Sequence, residues 1–280
     1  MIIETGYFSS VEPLDLRNLT WDSLDDQGST THGTFPKALI SVDDTKYYLK
    51  LSRCDAFLNE IVGFESIFEV IVSRLLQALG IDHVEYTLHP ATIQLSCSST
   101  PIQTYLCISR DFRGTASKIT AEQLFMMHGL QGETPLDTLH RVGYSENIDQ
   151  MFLVDYLIYN RDRHGKNIEF CSEGNKVTWA PLFDNGFSLV SPYGLNLEAI
   201  SKFDAMGDLP VNNFLGSNSL LRNLDFISRP IKVQGDSPFS RHELFMGLES
   251  TMPTIVQDKV WEILESRYTY VKDRKILVEG

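Results

Sequence analysis

The sequence has few cysteines, no long apolar run and no excess of basic residues. Four cysteines occur in 280 residues, far apart and without a CxxC pair, so neither a zinc cage nor a disulfide framework is predicted. No window approaches the roughly 18 consecutive apolar residues of a membrane-spanning helix. The 24 Lys and Arg residues are outnumbered by 37 Asp and Glu residues, which gives a formal net charge of -13. A chain this acidic has no general attraction to a nucleic-acid backbone or an anionic membrane surface.

The N-terminal segment does not resemble an export signal. It reads MIIETGYFSSVEPLDL and lacks the basic start and apolar run that a secretory signal requires. A reducing, cytoplasmic location is therefore expected, in keeping with the scattered cysteines. A length of 280 residues with 42% hydrophobic residues predicts a folded chain of one large domain or two closely joined lobes.

The first 112 residues are predicted to form a sheet with one packed helix. Residues 37–52 contain two strand-like runs around Asp43 and Asp44, which predicts a hairpin. Apolar residues at three- and four-residue steps predict a helix over 58–79, and Gly80 closes it. Three further short strands are expected because β-branched and aromatic residues alternate with turn signals, one of them Pro90. These strands are predicted at 83–88, 91–95 and 103–109.

The remainder, residues 113–280, is predicted to be mostly helical. A polar hairpin interrupts it, with strands at 167–171 and 176–180 around a Gly174-Asn175 turn. The predicted order is a small sheet-rich lobe, a hinge near 107–114 and a larger helical lobe that holds a hairpin. This is the order of a two-lobed, α+β protein kinase. The helices are expected near 120–129, 145–159, 217–227, 240–248 and 254–274.

The strongest functional pattern is the segment NRDRHGKN at 160–167, followed by FDNG at 183–186. Phosphoryl transfer requires a carboxylate to orient the acceptor hydroxyl and oxygen ligands to hold magnesium against the nucleotide phosphates. Asp162, Asn167 and Asp184 supply such a set, and the spacing of Asp162 and Asn167 is that of a kinase catalytic loop. The alternative is that these residues belong to solvated turns.

A lysine and a glutamate in the first lobe complete the pattern. Lys50 ends the apolar strand YYLK, where an unpaired ammonium would be costly to bury, so it requires an acidic partner. Glu69 on the following helix is the candidate, because such a pair positions the nucleotide phosphates in kinases. The alternative is that Glu69 lies on a solvated helix face, since polar residues recur at four-residue intervals from Glu65 to Gln77.

The segment Gly28 to Gly33 precedes the first hairpin strand and is a candidate phosphate-binding loop. It is not a Walker A loop, because Thr34 and Phe35 follow its second glycine and a strand follows instead of a helix. An ordinary polar loop is the alternative.

These residues together resemble the HipA-like family of bacterial serine/threonine kinases, which have an atypical protein-kinase fold. Beyond the catalytic segment, the family pattern of an acidic residue ten positions before Leu-Gly is met by Glu69. The resemblance implies that Asp162 is the catalytic base, that Asn167 and Asp184 bind Mg²⁺, and that Lys50 holds the phosphates of ATP. Family members are regulated by phosphorylation of the glycine-containing loop, which here offers the hydroxyls of Ser29, Thr30 and Thr31.

The resemblance implies an ATP- and Mg²⁺-dependent kinase that phosphorylates a Ser/Thr protein acceptor. An antitoxin or another regulatory protein is the further partner that it implies, although longer toxin members carry an additional N-terminal domain before the kinase lobes. The string DRHGKNI also resembles phosphatidylinositol kinases, so a lipid kinase is an alternative. A nucleotide-binding pseudokinase that acts as an interaction module is a second alternative.

Overall fold

The computed structural model describes residues 12–21, 35–55, 58–95, 100–233, 235 and 238–280. Its N-terminal part contains a five-stranded sheet in the order β1-β6-β7-β3-β2, a two-residue ladder of β4 with β5, and one helix. The elements of this part are β1 (Leu14–Leu16), β2 (Lys37–Val42), β3 (Thr45–Leu51), β4 (Cys54–Asp55), β5 (Glu60–Ile61), α1 (Glu65–Leu79), β6 (Thr87–Ile93) and β7 (Ile102–Arg110).

The predicted hairpin is confirmed as β2 and β3. Asp43 and Asp44 both have positive φ angles, of 47° and 61°. Such turns match the right-handed twist of paired strands, and aspartate tolerates this conformation better than most residues. Strand β3 also pairs with β7, and this pairing places Lys50, near the end of β3, beside Cys107.

The predicted helix begins later than expected, at Glu65 instead of residue 58. Residues 60–61 form β5 and pair with β4, so tertiary pairing overrides the helical spacing of the apolar residues there. The end is as predicted, because Gly80 adopts a left-handed conformation with φ of 68°. Twelve of the fifteen residues of α1 are buried, which fits a helix enclosed between the sheet and the second lobe.

The prediction that Pro90 separates two strands is wrong. The single strand β6 runs through it, and Pro90 pairs with Tyr105 of β7. On the other side, β1 pairs with residues 91–93. Within the part of the chain that the structure describes, Pro90 therefore has a neighbouring strand on one side only, a position where the missing N–H is tolerated.

In the C-terminal part, helices contain more of the described residues than strands do, and three strands form a sheet in the order β11-β10-β8. Its strands are β8 (Ser117–Thr120), β9 (Asp162–Arg163), β10 (Glu169–Glu173), β11 (Lys176–Trp179), β12 (Asn212–Asn213), β13 (Ile231–Val233) and β14 (Leu277–Glu279). Its helices are α2 (Ala121–His128), α3 (Pro135–Arg141), α4 (Ser145–Leu157), α5 (Leu197–Lys202), α6 (Leu220–Asn223), α7 (Arg241–Phe245) and α8 (Thr254–Asp273).

The predicted polar hairpin is confirmed as β10 and β11. Helices α2, α4, α7 and α8 lie where they are predicted, whereas the helix expected at 217–227 is divided into α6 and a 3₁₀ turn. The short helices α3 and α5 are not predicted, although Thr134 and Asp137 form a capping box at the start of α3. None of the helices in these described ranges combines the length and hydrophobicity that a membrane span requires.

One large core joins α1 to the helices of the second part. It includes Phe68 and Ile71 of α1, Phe152 of α4 and Val260 of α8, all fully buried. A smaller core under the sheet contains Trp21 and side chains of β3, β6 and β7. The helix α4 leads directly into the segment 160–167, so the large core fixes the position of that segment. The division of the chain at residues 112 and 113 stays a prediction.

We expect Leu75→Ala to lower the free energy of unfolding by about 2–5 kcal/mol, because Leu75 is 1% exposed in this core and truncation leaves a cavity. Leu130 is 59% exposed, so the matched variant Leu130→Ala should change stability by less than about 1 kcal/mol. Urea unfolding of both variants tests this. Equal losses would contradict the assignment of α1 to the core.

Candidate active site

A partly buried ammonium on β3 contacts two carboxylates of the site. Lys50 Nζ donates to Glu69 Oε1 and to Asp184 Oδ1, both at 2.9 Å, and to the hydroxyl of Tyr86 at 3.3 Å. Burial alone would lower the pKa of Lys50, but Asp184 and Glu69 outweigh it and raise this pKa well above its usual value. Lys50 is therefore held as a cation between two carboxylates.

Glu69 faces the protein interior and not solvent. Its side chain is 3% exposed, so the alternative of a solvated helix face is wrong. While Oε1 accepts from Lys50, Oε2 accepts the backbone N–H of Asn185 at 3.0 Å. Burial raises the pKa of Glu69, and Lys50 opposes this rise. Glu69 thus connects β3 to the turn that carries Asp184.

This turn lies close against α1. A Cβ atom at Gly186 would lie 3.3 Å from the backbone oxygen of Glu65 and 3.4 Å from Glu69 Cγ, so glycine allows a close approach here. Asp184 adopts a positive φ of 57°. Burial would raise the pKa of Asp184, but Lys50 outweighs it, and this pKa is lowered. Asp184 is therefore an ionised oxygen donor beside Lys50.

The segment 160–167 is fixed by hydrogen bonds within itself. Asn160 Oδ1 accepts the N–H of Asp162 at 3.1 Å, and Asn167 Nδ2 donates to the backbone oxygen of Asp162 at 3.0 Å. The imidazole of His164 accepts the N–H of Lys166 at 3.2 Å. The bond from Asn167 uses its amide nitrogen, which leaves its amide oxygen for a metal ion.

Arg163 joins the two predicted segments, although the sequence pattern assigns it no role. It is 1% exposed and donates to Asp155 at 2.8 Å, an acid that is equally buried. The same guanidinium donates to the backbone oxygens of Asn167 at 3.2 Å and of Phe183 at 3.1 Å. It also donates to Asn185 Oδ1 at 2.8 Å. Arg163 therefore sets the position of the 160–167 segment relative to the 183–186 turn.

A cleft of about 1510 Å³ is lined by Lys50, Tyr86, Asp162, Asn167 and Asp184. Among the described residues, eight basic side chains line it against five acidic ones, an excess of three positive charges in a chain whose net charge is -13. Such a concentration of positive charge attracts anionic ligands. The basic residues are Lys37, Lys46, Lys50, Arg110, Arg113, Lys118, Arg161 and Lys166.

Part of the cleft lining is aromatic, and Arg113 lies beside it. Its guanidinium lies 4.8 Å from the ring centre of Phe112 and donates to the hydroxyl of Tyr48 at 3.1 Å. It also pairs at 2.8 Å with Glu169, which is 2% exposed. Phe183 packs on Phe112 with ring centres 5.9 Å apart. These rings offer flat apolar surfaces of the kind on which an aromatic base stacks.

The structure brings Lys50, Glu69 and Asp184 into direct contact and places Asp162 and Asn167 in the same cleft. Gly28, Gly33 and the three hydroxyl residues between them lie outside the described residues, so their assigned roles stay predictions. Within the described ranges, no group of three or more His, Cys, Asp or Glu residues is arranged to hold a metal ion. A magnesium site made of Asn167, Asp184 and substrate phosphates does not require such a group.

Sequence reasoning missed the buried residues that support the site. The Asp155 to Arg163 pair carried a weak signal, since a charged residue within an apolar helix requires a partner. The contact between Tyr86 and Lys50 joins positions 36 residues apart and had no local signal.

No family model and no curated protein sequence matches the chain. Among solved structures, it is similar to the Helicobacter pylori proinflammatory kinase CtkA, with 15% identity and a TM-score of 0.59 over 94% of this chain and 96% of that one. It is also similar to Shewanella oneidensis HipA, solved with HipB and operator DNA, with 14% identity and a TM-score of 0.45 over 89% of this chain and 67% of that one. The similarity to CtkA shows the fold alone, and it confirms the predicted two-lobed, α+β protein-kinase-like fold.

We expect Arg163→Ala to cost about 3–5 kcal/mol of stability, because it leaves the buried carboxylate of Asp155 without its cation. Arg241 pairs with Asp258 at an exposed position, so Arg241→Ala is the matched control and should cost less than about 1 kcal/mol. Urea unfolding measures both. A loss at Arg163 no greater than at Arg241 would contradict its structural role.

Proposed function

We propose that the chain is a kinase that transfers the γ-phosphoryl group of ATP to a Ser/Thr hydroxyl of a protein, with Mg²⁺ as cofactor. The observation that carries this proposal is the contact of Lys50 with both Glu69 and Asp184, in a cleft that also contains Asp162 and Asn167. A kinase needs these residue types to hold phosphates, metal and acceptor. The excess of positive charge in the cleft supports an anionic substrate, and the aromatic part of the lining supports a nucleotide base.

The proposed reaction assigns a task to each residue. Lys50 binds phosphate oxygens, and Glu69 holds Lys50 in place. The acceptor oxygen attacks the γ-phosphorus, the bond from that phosphorus to the bridging oxygen breaks, and ADP leaves with that oxygen. The acceptor proton passes to a carboxylate oxygen of Asp162. Asn167 and Asp184 provide oxygen atoms of the kind that Mg²⁺ prefers, and a bound Mg²⁺ would neutralise phosphate charge.

The identity of the acceptor decides between a protein kinase and a lipid kinase. Incubation with labelled ATP and Mg²⁺, with a protein extract or with phosphatidylinositol vesicles in parallel, tests both. We expect label on protein Ser or Thr. Label on lipid would overturn the protein acceptor, and ATP binding without any transfer would indicate a pseudokinase. An antitoxin partner and phosphorylation at Ser29, Thr30 or Thr31 stay predictions from the family resemblance.

We expect Asp162→Asn to lower the rate of transfer by about a hundred- to ten-thousand-fold, because it removes the proposed base. ATP affinity should be retained, since Lys50 and Asp184 are unchanged. Single-turnover rates and ATP titrations measure the two effects. Asp273→Asn at the exposed end of α8 is the matched control and should have the rate of the parent. Transfer by Asp162→Asn at the parent rate would exclude Asp162 as the base.

We expect Asp184→Ala to reduce markedly the part of ATP stabilisation that depends on Mg²⁺, because it removes an ionised oxygen donor. A ligand at a hundred times its Kd stabilises the native state by about 2.7 kcal/mol. Thermal unfolding with ATP, with and without Mg²⁺, measures the difference, and Asp273→Ala is the matched control. An unchanged Mg²⁺-dependent shift in Asp184→Ala would reject Asp184 as a ligand.

A further inference from the structure

A short strand from the irregular segment before α6 docks on the proposed catalytic loop. Strand β12 pairs in parallel with β9, and Asn212 lies opposite Asp162 in this ladder. The N–H of Asn212 donates to the backbone oxygen of Arg161, and the N–H of Phe214 donates to that of Arg163, both at 2.9 Å. The backbone on both sides of Asp162 is therefore bonded to this strand.

The two side chains of β12 contact different acids. Asn212 Nδ2 donates to Asp162 Oδ1 at 3.0 Å, and Asn213 Nδ2 lies 3.5 Å from Asp155 Oδ2. Neighbouring residues of a strand point to opposite faces, which explains why Asn212 lines the cleft while Asn213 points towards the buried Asp155. Asn213 Oδ1 also accepts the N–H groups of Leu215 and Gly216.

The chain before Asn212 is held by buried side chains. Arg267 of α8 is 1% exposed and donates to the backbone oxygens of Ala205 at 2.7 Å and of Gly207 at 2.6 Å. The hydroxyl of Tyr159 accepts the N–H of Leu209 at 3.0 Å. Because the segment is fixed on both sides of it, Asn212 presents its amide from a defined position.

We propose that Asn212 is a positioning residue for the carboxylate of Asp162. Its amide donates a hydrogen bond to Asp162 Oδ1 and restrains rotation of the carboxylate. Asp162 Oδ2 then remains to accept the proton of the acceptor hydroxyl. His164 Nε2 lies 3.9 Å from Oδ2, too far for a hydrogen bond. Asn212 thus acts through Asp162 and couples the segment before α6 to the chemistry. This role rests on the proposed function.

The test compares transfer rates per ATP-binding site, so that misfolded protein does not affect the result. Asn212→Ala removes the donor, whereas Asn212→Asp keeps the size of the side chain and replaces the donor with a second carboxylate. We expect each to lower kcat by about 10- to 100-fold, the range expected for a lost hydrogen bond to a charged group. KM for ATP and the melting temperature should be unchanged. Asn175→Ala, in the exposed turn between β10 and β11, is the control and should retain the parent kcat.

A double-mutant cycle separates positioning from a general structural effect. If Asn212 acts through Asp162, then Asn212→Ala should have little further effect in an Asp162→Ala background. The positioning role would be overturned if Asn212→Ala lowered kcat equally in both backgrounds. It would also be overturned if the variant lost melting temperature and ATP-binding sites while the rate per site stayed the same. A parent rate in both Asn212 variants of an active kinase would overturn it as well. If the parent chain transfers no phosphate at all, the proposed function fails, and this role fails with it.

Discussion

The structure of the site depends on one buried guanidinium. Arg163 is enclosed in the protein, and the cost of removing its charge from water has to be offset by a nearby carboxylate and by acceptors for its N–H groups. Asp155 supplies the carboxylate, and the backbone oxygens of Asn167 and Phe183 together with Asn185 supply further acceptors. These partners lie on three separate segments. Satisfying one charge therefore holds the proposed catalytic loop and the proposed metal turn at a fixed separation.

Charge is distributed unevenly between the surface and the cleft. The chain is strongly acidic, yet a third of its 24 Lys and Arg residues line one cavity. Because repulsion from the acidic surface disfavours an anionic ligand elsewhere, the cleft is the place where such a ligand is attracted. The net charge predicts a low affinity for nucleic acid, whereas we propose that the cleft binds a nucleotide. These two expectations are therefore compatible.

Local signals in the sequence predicted the parts of the fold that depend on neighbouring residues. The paired aspartates predicted the turn between β2 and β3, and Gly80 predicted the end of α1. The start of α1 was not predicted, because residues 60–61 pair with β4 and this pairing outweighs their apolar spacing. The same limit applies to the site. The segment NRDRHGKN is contiguous and recognisable, whereas Asn212 reaches Asp162 across 50 residues through a two-residue parallel ladder that has no local pattern.

The two oxygens of Glu69 serve different partners: one accepts from Lys50 on the sheet, and the other from the backbone of Asn185 beside Asp184. Any rotation or translation of α1 that removes one contact also strains the other. The position of α1 therefore affects both contacts of Glu69 at once. A displacement of this helix would move Glu69 away from both the Lys50 ammonium and the turn that carries Asp184.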